Sequence, residues 1–236
     1  MEPFISIIIP ALNEEKYIET TLKALKNQDF KGKFEIIVAD GRSKDNTVKI
    51  AKKYADKVTV VKKRGIGTAR NAGAKVARGK LLLFLDADSI PLYNALTEVS
   101  KKFKKKGIVG AGFPVVALSP YFKDFIIYWT YNIFMKTTIK YGNPQIPGIC
   151  CAYRKETFDK VDGFNEDIET LEDYDLSSRI GKHGKTICIE ESLVLTSPRR
   201  FEAWGRVKAI FMYLGFYFKY LLTGKGPSVK IYKPIR

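Results

Sequence analysis

From residue 4 to residue 86 the chain repeats one pattern, a strand-length apolar run followed by a segment of helical period. The runs are FISIIIP, FEIIVAD, KVTVVKK and KLLLFLD; between them stand EKYIETTLKALKNQ, DNTVKIAKKYA and GTARNAGAKVA. Short apolar runs alternating with amphipathic helices predict parallel strands joined by helical crossovers, hence an α/β fold with an open, mostly parallel sheet flanked by helices. Ligands of such sheets bind at the carboxyl ends of the strands. The informative residues of this chain cluster there: Pro10, Asn13 and Glu14 after the first run, Asp40 and Gly41 after the second, Arg64 and Gly65 after the third, Asp86 and Asp88 after the fourth.

The fourth run, LLLFLDADS, ends in two acids separated by Ala87. Alternation along a strand would point Asp86 and Asp88 to the same side, where like charges repel. One reading is a strand followed by a helix cap, with Asp88 or Ser89 ahead of Pro91. That uses one acid and leaves the other unexplained. The second reading is a pair of hard oxygen ligands for Mg2+ or Mn2+, a cation that cancels the repulsion and keeps positions open for phosphate oxygens.

With 236 residues, 45% hydrophobic and 28% charged, the chain can bury one sizeable core. Its three cysteines, Cys150, Cys151 and Cys188, and its single histidine, His183, support neither a disulfide framework nor a zinc site, and fit a reducing compartment. The run at the start lacks a basic leader and is followed by acids, so it reads as a first strand rather than a signal peptide. A net charge of +16 calls for an anionic partner: nucleic acid, an anionic membrane surface or a phosphorylated substrate. The lysine-rich stretches KKFKKK, KKRG and GKGPSVKIYKPIR carry no base-reading motif, which disfavours nucleic acid, and each also fits a solvated surface.

Beyond residue 110 the texture becomes aromatic. SPYFKDFIIYWTYNIFMKTTIKYG places Phe122, Phe125, Ile126, Trp129 and Ile133 at helical spacing, as a core helix or as an apolar surface for a lipid-like acceptor. IPGICCAYRKETFDKVDGFNED reads as a strand, a helix and a glycine turn, and LEDYDLSSRIGKHG as an acidic loop entering a helix. RVKAIFMYLGFYFKYLLTG is a further helix. Lys208, Met212, Gly215 and Lys219 share one stripe of it; Ile210, Tyr213, Leu214, Tyr217, Phe218 and Leu221 fill the rest. It is shorter than the roughly 20 apolar residues of a span. An interfacial membrane helix, a core or dimer helix and a span all remain open. Arg206, Lys208, Lys225 and the basic tail favour an anionic bilayer.

Taken in order, SIIIPALNEEKYIETTL, IIVADGRSKDNT, GTARNAGAKVARGKLLLFLDADS, PGICCAYRKETFDKVDGFNED and LEDYDLSSR resemble the inverting glycosyltransferases of family 2, which have the GT-A fold. The resemblance covers roughly residues 4–200 and sets a 1–200 catalytic domain before a 201–236 segment of amphipathic helix and basic tail. It implies transfer of a sugar from a nucleoside diphosphate to an acceptor hydroxyl by in-line displacement, with Mn2+ or Mg2+. Asp88 would be the direct metal ligand, with Asp86 in the same motif and nearer the ribose. Pro10, Asn13, Glu14 and Asp40 fall where the family cradles base and ribose. Many relatives carry two adjacent acids where this chain has Ala39 and Asp40, and strand-end capping by Asp40, Ser43 and Asp45 is the alternative there.

The same resemblance has Arg70 hold the nucleotide sugar, or pair with a nearby acid. Pro147 and Gly148 would line the sugar pocket, and Arg199, Arg200 and Trp204 would close over diphosphate and acceptor. Asp173 would be the general base, with Glu172 beside it; crowded carboxylates raise a proton affinity, which suits a base working near neutral pH. The implied partners are a nucleoside-diphosphate sugar and an unidentified acceptor, lipid-linked or membrane-proximal, placing the protein at the cytoplasmic face of the cell membrane. A non-catalytic module binding nucleotide sugar or an anionic surface is the rival reading. A sugar nucleotidyltransferase is disfavoured, because PALNEE stands where a glycine- and arginine-rich phosphate loop would follow the first strand.

Overall fold

The computed structural model describes residues 4–61, 63 and 65–224; Arg64, Lys225 and the rest of the basic tail lie outside the described residues. The chain begins β1 (Ile5–Ala11), α1 (Ile18–Lys26), β2 (Phe34–Asp40), α2 (Thr47–Ala51), β3 (Lys57–Val60), α3 (Ile66–Val76) and β4 (Leu81–Leu85). It continues through β5 (Ser89–Pro91), α4 (Ala95–Phe103), β6 (Ile108–Gly112), β7 (Val115–Ala117) and α5 (Phe122–Lys140). The last part comprises β8 (Cys150–Arg154), α6 (Lys155–Lys160), α7 (Glu172–Gly181), β9 (Lys185–Cys188), β10 (Val194–Thr196), α8 (Arg199–Trp204) and α9 (Arg206–Thr223).

Seven strands form the central sheet in the order β3-β2-β1-β4-β8-β6-β9. β1 to β4 are mutually parallel, β8 runs antiparallel to both its neighbours, and β9 lies parallel to β6. All seven residues of β1 are buried, and alternation sends them to two different cores. Ile5, Ile7 and Ile9 join Leu22 and Leu25 of α1 and Leu96 and Val99 of α4. Ile8 joins Ala74 of α3, Phe158 of α6 and Leu176 and Ile180 of α7 on the other face. Helices therefore cover both faces of the sheet, as two-sided apolar strands require. On the second face a Cβ on Gly73 would stand 2.4 Å from Ile8 Cγ2, so only glycine lets α3 lie this close to β1.

From β1 the chain runs outward through β2 and β3 on one side and then crosses back to β4 on the other, so a topological switch point lies between β1 and β4. Pairing of these two strands stops at Ile8–Phe84, while β1 stays paired with β2 as far as Ala11–Asp40. Pro10, with no N–H to offer, lies beyond that stop. The crevice opens there, between the segments carrying Asn13 and Glu14 and those carrying Asp86 and Asp88.

Two local expectations are revised, and on α5 the structure decides between burial and exposure, which the sequence left open. β4 ends at Leu85, so Asp86, Ala87 and Asp88 form a turn and not a continued strand. Ser89–Pro91 opens no helix; it is β5, the edge of a three-stranded sheet β5-β10-β7, and α4 starts at Ala95. The partner that makes Ser89–Pro91 a strand is β10, paired Ser89 to Thr196, and local propensity carries no information on so distant a segment. On α5, Tyr128 and Met135 face inward, whereas Phe122, Phe125, Ile126, Trp129 and Ile133 are exposed.

The third revision concerns α9. Met212, Tyr213, Phe216, Tyr217 and Tyr220 pack on Leu171 and Tyr174 at the start of α7 and on Tyr131 and Phe134 of α5. Met212, expected beside the lysines, thus faces the protein. The opposite side of α9 is also apolar: Phe211 is 70% exposed, Phe218 61% and Leu222 85%. The expected boundary at residue 200 falls inside α8. Among the described residues no helix is long and apolar enough to cross a membrane.

Candidate active site

The loops after β1 and β2 are tied together by side chains capping backbone groups. Asn13 adopts a left-handed conformation (φ 56°), receives Lys44 N–H on its Oδ1 and donates its own N–H to Ser43 Oγ. Glu14 N–H donates to Thr47 Oγ1 at 2.7 Å. Asp40 Oδ2 accepts the N–H groups of Arg42 and Ser43 at 2.9 and 3.0 Å, the strand-end cap. Its Oδ1 is buried and has no hydrogen-bond partner among the described residues. An orphaned carboxylate oxygen is costly unless something donates to it, and this one lies at the carboxyl end of β2.

Arg70 enters from the second turn of α3 and is the largest fully buried side chain. Its Nη1 donates to Glu172 Oε1 at 2.6 Å, and its Nη2 to Asp86 Oδ1 and Gly148 O, each at 3.0 Å. The Phe164 ring covers the guanidinium, 5.2 Å from ring centre to Cζ. Phe164 is itself held in place because the Asn71 amide clamps its backbone N–H and C=O. Burial works against the Arg70 charge, but Asp86, Glu172 and Asp173 more than offset it and hold the proton more firmly than on an ordinary arginine.

Arg70 thereby joins the turn after β4 to the start of α7. Leu171, just before that helix, is left-handed (φ 68°), an uncommon conformation for a branched side chain that turns Glu172 and Asp173 into the site. Asp173 Oδ2 accepts Gly148 N–H at 2.6 Å and Oδ1 accepts Tyr174 N–H at 2.9 Å. Burial raises the proton affinity of Asp173, opposed by Arg70 and these two N–H groups. Glu172 is raised by burial and then by the Asp173 charge. Gly148 sits between the arginine and this acid. A Cβ there would stand 2.3 Å from Arg70 Nη2, so a side chain at this position would displace the guanidinium. Pro147 is buried beside it. Asp175, the third acid, turns away into an ion pair with Arg179 at 2.6 Å.

On the other side of the turn, the β5–β10 pairing places Arg199 at the first residue of α8 against Asp88. Arg199 Nε lies 2.9 Å from Asp88 Oδ2, and its two Nη atoms reach the two Glu14 oxygens at 2.8 and 2.7 Å. Its guanidinium lies over the Tyr17 ring at 4.7 Å. Burial pushes the Asp88 carboxyl up to about 6 against the pull of Arg199, with Asp86 and Glu14 adding to the rise. Arg200 donates to the Tyr213 hydroxyl at 3.1 Å and stands over Trp204, so both belong to the seam between α8 and α9. Sequence reasoning passed over Tyr17 and Phe164. Each lies beside a segment it did single out, in NEEKY and DGFNED, but neither aromatic shows which arginine it will meet.

The crevice therefore gathers Glu14, Asp40, Asp86, Asp88, Asp173 and two arginines. Among the described residues no group of three or more His, Cys, Asp or Glu is spaced to hold a metal ion by itself. The sequence profile of "Glycosyl transferase family 2" matches residues 6–162. The chain belongs to glycosyl transferase family 2.

Within this family, an uncharacterized glycosyltransferase of Haemophilus influenzae is 30% identical over 186 residues, covering 72% of this chain and 60% of that protein. The poly(ribitol-phosphate) beta-N-acetylglucosaminyltransferase TarS of Staphylococcus aureus is 34% identical over 126 residues, 46% of this chain and only 22% of TarS. This chain thus spans well under two thirds of TarS. Among solved structures, the mannosyltransferase PcManGT from Pyrobaculum calidifontis, in complex with GDP-Man and Mn2+, shares the fold with a TM-score of 0.74 at 23% identity, over 96% of this chain and 66% of that one. The fold of this chain is GT-A and its family glycosyl transferase family 2, as the motifs implied.

Proposed function

We propose that this protein is an inverting glycosyltransferase that moves a sugar from a nucleoside-diphosphate donor to an acceptor hydroxyl. The observation that carries the reading is convergence: Arg70 bonds Asp86, Gly148 and Glu172, and Gly148 N–H in turn bonds Asp173, so these acids meet at one point. Asp40 Oδ1, buried and unpaired among the described residues, supplies an acceptor for a base N–H. Glu14 and Asn13 hold the ribose side of the crevice.

Asp173 takes the proton of the acceptor hydroxyl as its oxygen attacks the anomeric carbon and the bond from that carbon to the diphosphate oxygen breaks. Its raised proton affinity suits that step, and the Gly148 N–H keeps its carboxylate aimed. Asp88 fits a divalent cation: its oxygens are hard donors, and it already carries a positive partner in Arg199. Such a cation, held by Asp88 with Asp86 beside it, would offset charge on the leaving diphosphate, taking its other ligands from phosphate and water. PcManGT, with GDP-Man and Mn2+, supports this assignment by likeness.

The acceptor we assign is lipid-linked or membrane-proximal, reached from the cytoplasmic side by a protein peripheral to the inner face of the cell membrane. In support, α5 and α9 both turn apolar side chains outward, and Lys208 and Lys219 lie exposed on one stripe of α9 in a chain of net charge +16. Release of nucleoside diphosphate from UDP- and GDP-sugars in the presence of Mn2+ tests the reaction. Turnover that disappears in Asp173→Asn supports it; saturable donor binding with no turnover under any acceptor or hydrolytic condition would favour a binding module instead.

A further inference from the structure

Arg199 is placed unusually for a residue expected to reach a diphosphate. Three of its nitrogens are committed to two carboxylates from separate loops, Glu14 from the β1–α1 loop and Asp88 from the turn after β4. The pairing is sheltered, with 18% of the arginine side chain and 11% of each acid exposed, and Tyr17 closes one face of the guanidinium. We propose that Arg199 is the resident counter-cation of the donor site: it holds Glu14 and Asp88 while no donor is bound, and passes to the diphosphate when donor and divalent cation enter together. This rests on the donor-site reading above.

The argument is one of charge and shape. A divalent cation approaching Asp88 meets a positive group already seated on the same carboxylate, so the cation alone competes with Arg199 and binds weakly. A diphosphate changes the balance, because a guanidinium fork matches phosphate oxygens as well as carboxylate oxygens. The arginine then leaves Asp88 for a new anion and the cation takes its place. Cation and diphosphate must therefore bind with positive coupling, each strengthening the other by the same factor. The move is also transmitted. Arg199 begins α8, whose Phe201 meets Tyr128 of α5 edge-on and Tyr213 of α9 at a tilt, so release of Asp88 loosens the seam beneath the two outward apolar faces.

Equilibrium dialysis of Mn2+ against the full chain tests this, for wild type, Arg199→Ala and Arg199→Gln, each with Mn2+ alone and with UDP or GDP. Loss of the competing charge should tighten binding of Mn2+ alone by about tenfold in both variants and shrink the coupling to nucleoside diphosphate by about as much, within the usual range of such couplings. Variants that bind Mn2+ alone no tighter than wild type, with unchanged coupling, overturn the proposal and leave the donor site standing. Wild type that takes up no Mn2+ even with UDP and GDP overturns the donor-site reading, and the proposal with it. Should Arg199→Ala fail to fold, Arg199→Gln carries the comparison, since it keeps an N–H donor without the charge.

Discussion

Arg70 Nη1 lies 2.6 Å from Glu172 Oε1, a buried bond between residues 102 positions apart. It ties the helix after β3 to the helix that presents Asp173, and the same guanidinium holds Asp86. Arg70→Ala strands these acids without their cation. Removing one partner of a buried pair costs about 3–5 kcal/mol, and in a domain of this size each kcal/mol lowers Tm by roughly 2–4 °C. Thermal unfolding followed by circular dichroism should show that loss. A variant melting with the wild type would mean the pair contributes nothing to stability.

Asp173→Asn should leave donor affinity nearly unchanged and lower kcat by roughly 100-fold or more, because it removes proton transfer and keeps the donor contacts. A base works deprotonated, so activity falls as pH drops through its pKa. With Asp173 raised by burial, the acid limb of the profile should lie above the ordinary carboxylate range. Glu172→Gln frees the Arg70 charge to act on Asp173 and should move that limb to lower pH. A limb unmoved by Glu172→Gln and retained in Asp173→Asn would assign the base elsewhere.

Gly148→Ala places a methyl against a guanidinium that has nowhere to go, since Arg70 is packed under Phe164 and bonded on three sides. Overpacking of this kind costs about 1–3 kcal/mol. The Gly148 N–H that aims Asp173 should shift with it, so turnover should fall more than about tenfold. Kinetics of the folded variant decide this: wild-type kcat would show that Arg70 can move without cost.

Asp88→Ala should abolish the dependence of diphosphate binding on Mn2+. Calorimetric titration of UDP or GDP, with Mn2+ and with EDTA, measures it. Equal affinities in wild type and variant, with EDTA indifferent to both, would remove Asp88 from the cation site.

The outward face of α9 should bind anionic vesicles more strongly than neutral ones, and less as salt rises. Because the inner face of α9 packs on Leu171 and Tyr174 next to Asp173, removing the whole helix would also disturb the site. The triple substitution Phe211→Ser, Leu214→Ser, Phe218→Ser changes only exposed positions. It should stay in the supernatant of a liposome sedimentation assay while keeping donor turnover. Wild type that never sediments with anionic vesicles at low salt would assign that face to another partner.

The α/β architecture, the strand ends and the acids that line them were legible because they are local. Period-2 and period-3.6 patterns, and short motifs such as LDADS and LEDYD, lie within a few residues of one another. What the sequence could not display were pairings between distant segments. That Ser89–Pro91 is a strand depends on β10, and that Arg199 meets Asp88 follows from the same register. That Arg70 pairs with both Glu172 and Asp86 emerges only once α3 and α7 are set against one another on the sheet. On α9 both sides are apolar, so periodicity alone could not choose the buried one; the aromatic rings of α5 and α7 chose it by packing. Local chemistry follows from covalent neighbours, whereas the partner of a long charged or aromatic side chain is decided by burial, which only the folded chain defines.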